Sequence, residues 1–379
     1  VNLLNVTGLE TIVAQDDAGT ATAINIDNAA SGLTVRIGTK GGADYAGATV
    51  DVDLKDATGS NDVLNIDLAK TATSSGAVID TAGIETVNIV ATAGAGSATV
   101  LAASIAGSVT AGTINVSGTD ADDSVTLESI SSGYTTVNAS ELAGALVIGA
   151  SARGSDAMTI TGGTGADTIE MENAADVITG GAGTVSDDLQ VTFSGTGGSI
   201  VVDLSSTTDQ VTLFNGVANS AAQTGFEDID LSAYTQTGSA GADITGSTGV
   251  NVIVGTAYAD TIRGGDGDDT IHINTGTVAN SDVMDGGVGD DTLSIAAGLT
   301  TTIDGDTDLV NVENISLLTT GTLILTGQTE DFAIAVGAGT SSITTGTGDD
   351  TITLADDSGA DTIVMTATSG SDSVVDFTV

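Results

Sequence analysis

The sequence has neither cysteine nor proline among its 379 residues. The lack of cysteine excludes disulfides, thiolate metal sites and cysteine nucleophiles. Because proline cannot donate a backbone N–H to a β-ladder, its absence is typical of a chain in which nearly every residue joins such a ladder. Aromatic residues make up only 2%, so the core must consist of thin aliphatic layers. Stacked short strands suit such layers better than one globular core.

Cationic residues are also scarce, since six lysines and arginines face 51 acids and the formal net charge is -45. The acids are 42 Asp and 9 Glu, a bias toward the short carboxylates that suit turns and hard cations. The charge argues against nucleic acid or an anionic membrane surface as a partner. No apolar run reaches the roughly 18 residues of a membrane span. We therefore expect neither nucleic-acid binding nor membrane insertion, and cations as the natural partners.

A disordered acidic chain would be poor in β-branched residues, yet this chain is 40% hydrophobic and should fold. Polar and apolar residues alternate in many segments, such as Val63-Leu-Asn-Ile-Asp-Leu68 and Ser199-Ile-Val-Val-Asp-Leu204. This pattern predicts short strands separated by glycine turns. An alanine-rich stretch at 91–105 also contains glycine and serine, so we expect at most one or two short helices.

Two superimposed repeats run along the chain. One is a marker of the form Gly-apolar-acid-x-apolar, and the other is an aspartate turn that follows each marker by 32 to 38 residues. They indicate about five related units, although a chain this rich in glycine and aspartate could produce such turns by chance. The marker acid itself could be only an exposed strand residue. The markers are centred on Glu10, Glu85, Thr135, Glu227 and Glu313, and the turns on Asp44, Asp123, Asp167, Asp260 and Asp350.

Three segments match the nine-residue pattern G-G-x-G-x-D-x-(apolar)-x without error, beginning at Gly162, Gly264 and Gly286. Decayed copies surround them. The segment 246–254 carries Asn251 in place of the aspartate, and 255–263 keeps Asp260 but has lost two glycines. Further copies at 118–126 and 345–353 keep their aspartates.

Each position of the pattern has a physical task. The glycines allow positive φ and let carbonyl oxygens surround a concave pocket where a Cβ would clash. The aspartate supplies a short carboxylate, and the apolar eighth residue begins a strand and points into the core. Hard oxygen donors at this density select calcium, which accepts roughly 6 to 8 oxygens in irregular sites.

The copies that begin at 246, 255 and 264 follow one another without gaps. If two copies make one turn of a parallel β-roll, those at 246 and 264 lie on one side and the copy at 255 on the other. Calcium would then sit between successive turns and be bound by both. Four extra residues precede Asp282-Val-Met284, so we expect an interruption of the roll there that does not end it.

The tandem repeats resemble those of the RTX family, calcium-binding proteins exported by type I secretion. Together with the threonine-, alanine- and valine-rich strands and the Val-Glu-Asn marker, they resemble bacterial RTX surface-layer (S-layer) proteins such as that of Caulobacter. The resemblance implies an all-β, parallel β-solenoid or β-roll fold that binds several Ca²⁺ ions through its Gly/Asp-rich turns. The metal-binding residues that it implies are Asp123, Gly162, Thr164, Gly165, Asp167, Asp260, Gly264, Asp266, Gly267, Asp269, Asp282, Gly286, Val288, Gly289, Asp291, Gly346, Gly348 and Asp350.

The expected division of the chain has four parts. N-terminal β-solenoid units occupy 1–130, and β units with the first intact repeat occupy 131–223. The RTX β-roll occupies 224–300, and a C-terminal β-solenoid with RTX-like turns occupies 301–379. The ending at 370–379 resembles the strand that often follows such arrays, and a secretion signal is expected beyond it.

RTX repeats also accompany enzymes, so the repeats alone do not decide function. The single histidine, His272, excludes an H-E-x-x-H site, and there is no G-x-S-x-G elbow. The six cationic residues form no cluster along the sequence. Aspartate spacing leaves paired carboxylates for glycoside hydrolysis open, but the scarcity of aromatics argues against a sugar-binding cleft. We therefore expect no catalytic residues.

The favoured function is a secreted structural protein on the cell surface, an S-layer component whose folding and self-assembly depend on calcium. The alternatives are the stalk of a calcium-dependent RTX adhesin and the noncatalytic carrier module of a secreted enzyme. The expected partners are other copies of the chain and, through another part of it, a cell-surface polysaccharide.

Overall fold

The computed structural model describes residues 1–16, 24–39, 49–56, 58–69, 77–92, 99–149, 153, 156–236, 238, 240–273, 282–355, 359–365 and 368–375. Every regular element in these ranges is a β-strand, which confirms the all-β prediction. The described ranges contain no helix of the length and apolarity needed to cross a membrane. Asp44, the first of the predicted aspartate turns, lies outside the described residues.

The chain forms two compact units. Unit 1 comprises Val1–Gln190 and Ala221–Gly225, and unit 2 comprises Val191–Ser220 and Phe226–Val379.

Unit 1 is a parallel β-solenoid with two sheets of described strands. One sheet has the order β1-β3-β5-β7-β9-β11-β13-β15-β21, and the other runs from β2 through the even-numbered strands to β16. The strands are β1 Thr11–Asp16, β2 Ile24–Ala29, β3 Leu33–Thr39, β4 Thr49–Leu54, β5 Val63–Ala69, β6 Ala77–Asp80, β7 Thr86–Ala91, β8 Thr99–Ala106, β9 Gly112–Gly118, β10 Asp123–Ile130, β11 Tyr134–Leu142, β12 Leu146–Ile148, β13 Thr159–Thr161, β14 Thr168–Met171, β15 Val177–Thr179, β16 Asp188–Val191 and β21 Gln223–Thr224.

Unit 2 is also a β-solenoid. The remaining strands are β17 Phe193–Gly195, β18 Ile200–Asp203, β19 Val211–Phe214, β20 Val217–Ala218, β22 Asp228–Asp230, β23 Tyr234–Gln236, β24 Ala242–Thr245, β25 Val252–Val254, β26 Thr261–Asp266, β27 Thr270–Ile273, β28 Val283–Val288, β29 Thr292–Ile295, β30 Thr300–Thr302, β31 Leu309–Val310, β32 Asn314–Leu317, β33 Thr322–Ile324, β34 Ala333–Val336, β35 Ser342–Thr344, β36 Thr351–Leu354, β37 Thr362–Val364 and β38 Ser373–Val375. Its main sheet has the order β22-β25-β27-β29-β32-β34-β36-β38, and opposing sheets are β20-β19-β18-β24-β26-β28-β31 and β30-β33-β35-β37.

The core of unit 2 is a column of aliphatic side chains, one from each turn. Ile253 pairs with Ile271, Ile271 with Leu293, and the column continues through strands β32, β34 and β36. These side chains are at most 1% exposed. Burial of each stabilises the fold by about 1.5–3 kcal/mol. The apolar eighth position of the repeats, at Ile271 and Leu293, thus points into the core as predicted.

The stacking of the repeats in unit 2 follows the expected β-roll. Val252 pairs with Thr270 in the main sheet, while Asp243 pairs with Thr261 in the opposing sheet. Successive turns are therefore 18 residues apart here, and the copies at 246 and 264 lie on one side. The next turn has 22 residues, and pairing resumes on both sides, at β28 and β29. The four-residue insertion interrupts the roll without ending it.

An antiparallel meander of three strands accompanies the parallel strands of unit 2. Strands β18, β19 and β20 pair antiparallel in succession. The β19–β20 turn has positive φ at both Asn215 and Gly216 (55° and 71°), as an Asn-Gly hairpin turn requires. Tyr234 supports this turn, because its hydroxyl accepts the Asn215 N–H at 3.0 Å.

Candidate metal centre

The acids of unit 2 form a ladder that links successive turns. We define the ladder position as the residue immediately before each strand of the main sheet from β25 to β38. At this position the backbone N–H of one turn donates to the side chain of the next. Asn251 N donates to Asp269 Oδ1 at 2.8 Å, Asp269 N to Asp291 Oδ1 at 2.7 Å, and Asp291 N to Glu313 Oε2 at 2.9 Å.

The ladder changes character at β34, where the ladder position is occupied by the buried side chain of Phe332. Phe332 N still donates to Asp350 Oδ1 at 3.0 Å, and Asp350 N donates to Asp372 Oδ1 at 3.1 Å. Phenylalanine has no oxygen to offer the preceding turn. The acid ladder of unit 2 therefore consists of two runs separated by Phe332.

Equivalent ladders occur at two other edges. In the opposing sheet of unit 2, Ala242 N donates to Asp260 Oδ1 at 2.6 Å and Asp260 N to Asp282 Oδ1 at 2.9 Å. In unit 1, Leu146 N donates to Asp167 Oδ1 at 2.6 Å and Asp167 N to Asp187 Oδ1 at 2.8 Å. The predicted aspartates 167, 260, 269, 282, 291 and 350 thus share one structural role.

The second carboxylate oxygen of several ladder aspartates has no hydrogen-bond partner. Asp269 Oδ2, Asp291 Oδ2 and Asp350 Oδ2 are all buried and unpaired, and their residues are at most 2% exposed. A buried unpaired carboxylate oxygen is costly. Asp167 differs, because its Oδ2 accepts the Gly163 N–H at 2.5 Å.

The first glycine of each intact repeat brings the backbone against this oxygen. A Cβ on Gly264 would overlap both Asp269 Oδ2 and the carbonyl oxygen of Gly286, and a Cβ on Gly162 would overlap Asp167 Oδ2 in the same way. These glycines do not have positive φ. Glycine is required here because the backbone and the carboxylate approach closely. The predicted Cβ clash therefore applies to these glycines, but the predicted positive φ does not.

Positive φ is needed at later glycines of the turn. Gly265, Gly267 and Gly287 have φ of 116°, 114° and 107°. A Cβ on Gly287 would also overlap the carbonyl oxygen of Gly265, one turn earlier. The turns therefore stack backbone on backbone, with carbonyl oxygens close to the ladder.

The remaining predicted residues lie in these turns or beside them. The third position of each intact repeat is exposed, at Thr164, Asp266 and Val288. Gly165, Gly289 and Gly348 each pack against a carbonyl of the preceding turn, as does Gly346. Asp123 is buried at the start of β10, two residues before Val125, which pairs with Leu146. Asp123 therefore lies two residues before the position that is aligned with Leu146, and not in register with Asp167 as the repeat pattern predicted.

Burial raises the pKa of the ladder carboxyls. It raises the pKa of Asp167, Asp269, Asp282 and Asp350 to about 6. The hydrogen bonds that these carboxyls accept from backbone N–H groups lower the pKa, but by less than burial raises it. Asp291, Asp268 and Asp266 raise the pKa of Asp269 further. The charged carboxylates are therefore held at a cost that a bound cation would offset.

The family model for the RTX calcium-binding nonapeptide repeat matches in four copies, over residues 159–184, 245–277 and 279–294. The chain carries RTX nonapeptide repeats. The three intact copies fall within the matched segments, whereas the decayed RTX copies at 118–126 and 345–353 lie outside them. No curated protein and no solved structure matches the chain.

RTX repeats bind calcium, and the turns described here fit that ion. Their donors are hard oxygens, and Asp269 Oδ2 and Asp291 Oδ2 are buried without partners. Among the described residues, no group of three or more histidine, cysteine, aspartate or glutamate side chains is placed to hold a metal ion. Calcium would therefore need backbone carbonyl oxygens beside the aspartates, a mixture that it accepts. Its charge would balance the ladder carboxylates of adjacent turns.

Two of the marker acids, Glu85 and Glu313, take part in the same kind of hydrogen bond, which the sequence did not reveal. Glu313 accepts the N–H of Asp291, and Glu85 in unit 1 accepts the N–H of Asp62 at 2.9 Å. The residue two positions before the centre of each marker has positive φ in all five copies, including Asn311 at 51°. At Glu85 and Glu313, the marker and the aspartate turn are therefore variants of one arrangement. In the sequence, the feature that the copies share is a glycine or asparagine two residues before the centre of the marker.

The repeat pattern in the sequence also did not indicate Asp187 as a ladder residue. It follows Gly180-Gly-Ala-Gly183, which has the glycines of a repeat, but two additional residues separate it from the expected aspartate position. Its carboxylate still accepts the Asp167 N–H. The glycine spacing was the signal that could have found this turn.

One turn of unit 1 contains a buried protein cation. The side chain of Arg153 is 1% exposed, and its Nη2 donates to Asp176 Oδ2 at 2.7 Å and to the Glu170 carbonyl at 2.6 Å. Its Nε lies 3.8 Å from Glu172 Oε2. Asp176 also accepts the Met158 N–H at 2.9 Å. Here a guanidinium supplies positive charge to a buried aspartate turn.

Proposed function

We propose that this chain is a secreted, noncatalytic structural protein that calcium folds and then assembles into a surface layer on the cell. The support for calcium in folding is the acid ladder, where each carboxylate already joins two turns through a hydrogen bond. An ion bound at that position would hold the same two turns together. Millimolar calcium outside the cell would stabilise the fold, whereas low cytosolic calcium would leave the chain unfolded for export.

The observation that carries the assembly proposal is that all three arginines form ion pairs with aspartates of the same chain. Arg36 pairs with Asp67 at 3.0 Å, Arg153 with Asp176 at 2.7 Å, and Arg263 with Asp243 at 2.7 Å. Each of these pairs lies within the chain. With a net charge of -45, two copies repel each other, and few cationic side chains remain for salt bridges between them. Divalent ions that bridge exposed carboxylates would supply the missing attraction.

His272 supports a noncatalytic role. It lies in the middle of β27 and pairs with Val254 on one side and Ser294 on the other. Burial lowers its pKa. A half-buried strand residue between two packed neighbours suits the structural role better than that of a general base.

The test is light scattering combined with negative-stain imaging across a calcium titration, with magnesium as the control ion. We expect ordered sheets or extended arrays at millimolar calcium and none at the same magnesium concentration. Circular dichroism in the same samples reports folding separately. A protein that folds with calcium but stays monomeric at tens of micromolar would contradict the lattice, and the adhesin stalk or carrier module would replace it.

A further inference from the structure

A second kind of acid turn lies in unit 1, about a hundred residues before the first matched repeat. Asp62 N donates to Glu85 Oε2 at 2.9 Å. The same bond, with the same length, joins Asp291 N to Glu313 Oε2 in unit 2. In both cases an aspartate immediately before a strand is followed, one turn later, by the glutamate of a marker. The turn at Asp62 therefore shares this hydrogen bond with an intact repeat although its sequence was not matched.

The turn at Asp62 also contains a carboxylate oxygen without a hydrogen-bond partner. Asp62 is 9% exposed, and its Oδ2 is buried with no hydrogen-bond partner. This oxygen points into its own turn, since a Cβ on Gly59 would lie 3.1 Å from it. Asp291 Oδ2 is likewise buried, unpaired and next to the glycine that begins its turn, Gly286. A carboxylate oxygen in this state indicates a missing positive partner.

The surroundings offer room and further oxygens. A cavity of about 640 Å³ is lined by Gly59, Ser60, Glu85 and Thr86 among others. A second cavity, of about 520 Å³, is lined by Ser31, Thr58 and Asp62, and also by Lys55. Lys55 is exposed, so its ammonium can remain solvated and need not neutralise the buried oxygen.

We propose that Asp62 and Glu85 bind a Ca²⁺ ion between their two turns. Two carboxylates, hydroxyl groups, backbone carbonyls and water form the all-oxygen set that this ion takes, and nothing soft enough for zinc or copper is present. The site extends calcium binding to a part of unit 1 that lacks recognisable repeats. It does not depend on assembly of the protein.

The test is a calcium count on the full chain by equilibrium dialysis at millimolar calcium. We expect Asp62→Asn and Glu85→Gln each to bind one ion fewer than the wild type. Asp53→Asn is the matched control, because it removes the same charge from an exposed position on β4. Equal counts in all four proteins, with unchanged circular dichroism, would overturn the proposal. Light scattering on the same variants reports assembly independently.

A measurement on the wild type covers the case in which a variant fails to fold. The Asp62 N–H donates to Glu85, and the Thr86 N–H donates to the Asp62 carbonyl at 2.9 Å. We expect hydrogen exchange of both amides to slow when calcium is added. If the Asp269 amide slows while those of Asp62 and Thr86 do not, calcium binds at the RTX turns but not at this one, and the site is wrong.

Discussion

The backbone amide of Asp269 donates a 2.7 Å hydrogen bond to the carboxylate of Asp291, 22 residues later in the chain. The amide of Asp291 in turn donates to Glu313. Each acid therefore fixes the backbone of the preceding turn with one oxygen and leaves the other oxygen available. The same side chain can hold two turns together and still bind an ion.

Replacing Asp291 tests these two tasks separately. Asp291→Asn keeps an oxygen for the Asp269 amide but loses the charge, whereas Asp291→Ala loses both. We expect both variants to lose calcium, and the alanine variant to be less stable by a further 1–3 kcal/mol or so because the buried amide is unpaired. Calorimetric calcium counts and denaturant unfolding measure these effects.

Asp269→Ala should also lose calcium and loosen the neighbouring turn, because the ion is shared. Hydrogen exchange should quicken on both sides of the mutated turn. His272→Ala, on the adjacent strand β27, is the control and should change the calcium count little. Unchanged counts in both aspartate variants would rule out the ligand assignment.

The stability of the calcium-free protein should fall as pH rises from about 4 to 7. Asp167, Asp269, Asp282 and Asp350 have a pKa of about 6 in the folded chain, against about 3.9 when unfolded. Between these values the folded state holds more protons, so raising the pH removes stability. Circular dichroism in calcium-depleted buffer at pH 4.5 and 7 measures the difference, with a larger folded fraction expected at pH 4.5. A calcium-free protein that is more stable at pH 7 would contradict this prediction.

Gly287→Ala should destabilise the calcium-bound protein more than Gly298→Ala. Both glycines have positive φ, but a Cβ on Gly287 would overlap the Gly265 carbonyl, whereas a Cβ on Gly298 meets nothing within 4 Å. Backbone strain costs about 1–2 kcal/mol at either position, and the overlap adds about 1–3 kcal/mol at Gly287. Thermal unfolding at fixed calcium compares the two. Equal losses would mean that the turns do not stack as closely as described.

Arg153→Met should be strongly destabilising, at about 3–5 kcal/mol, because it leaves the carboxylate of Asp176 buried without its cation. Arg263→Met is the matched control. Arg263 and Asp243 form an ion pair of the same length, but both side chains are about half exposed, so the expected loss is at most about 1 kcal/mol. Denaturant unfolding monitored in unit 1 and in unit 2 measures both. A small effect at Arg153 would show that the buried pair is dispensable.

The sequence predicted the architecture where the repeats are contiguous. The gapless copies at 246, 255 and 264 predicted the 18-residue turn and the sides on which the copies lie. The apolar eighth residue predicted the core column through Ile271 and Leu293. These features are local, because strand period and turn length decide them.

The extent of the acid ladder could not be predicted in the same way. Glu313, Asp187 and Asp62 each lie immediately before a strand and join neighbouring turns. Their own turns differ from the repeat in length or in residue type. A glutamate one methylene longer serves as well as an aspartate because it only has to reach the amide of the neighbouring turn. Which residue does so depends on the register after each insertion, and register is a property of the stacked sheet.

Phe332 divides the acid ladder of unit 2 into a run ending at Glu313 and a second run from Asp350 to Asp372. An ion shared between turns transmits its effect to the next site only where both turns carry a carboxylate. The Phe332 turn places a buried ring where the other turns have a carboxylate. Calcium occupancy on its two sides should therefore be thermodynamically independent, with cooperativity confined to each run and two calcium midpoints where an unbroken ladder would give one.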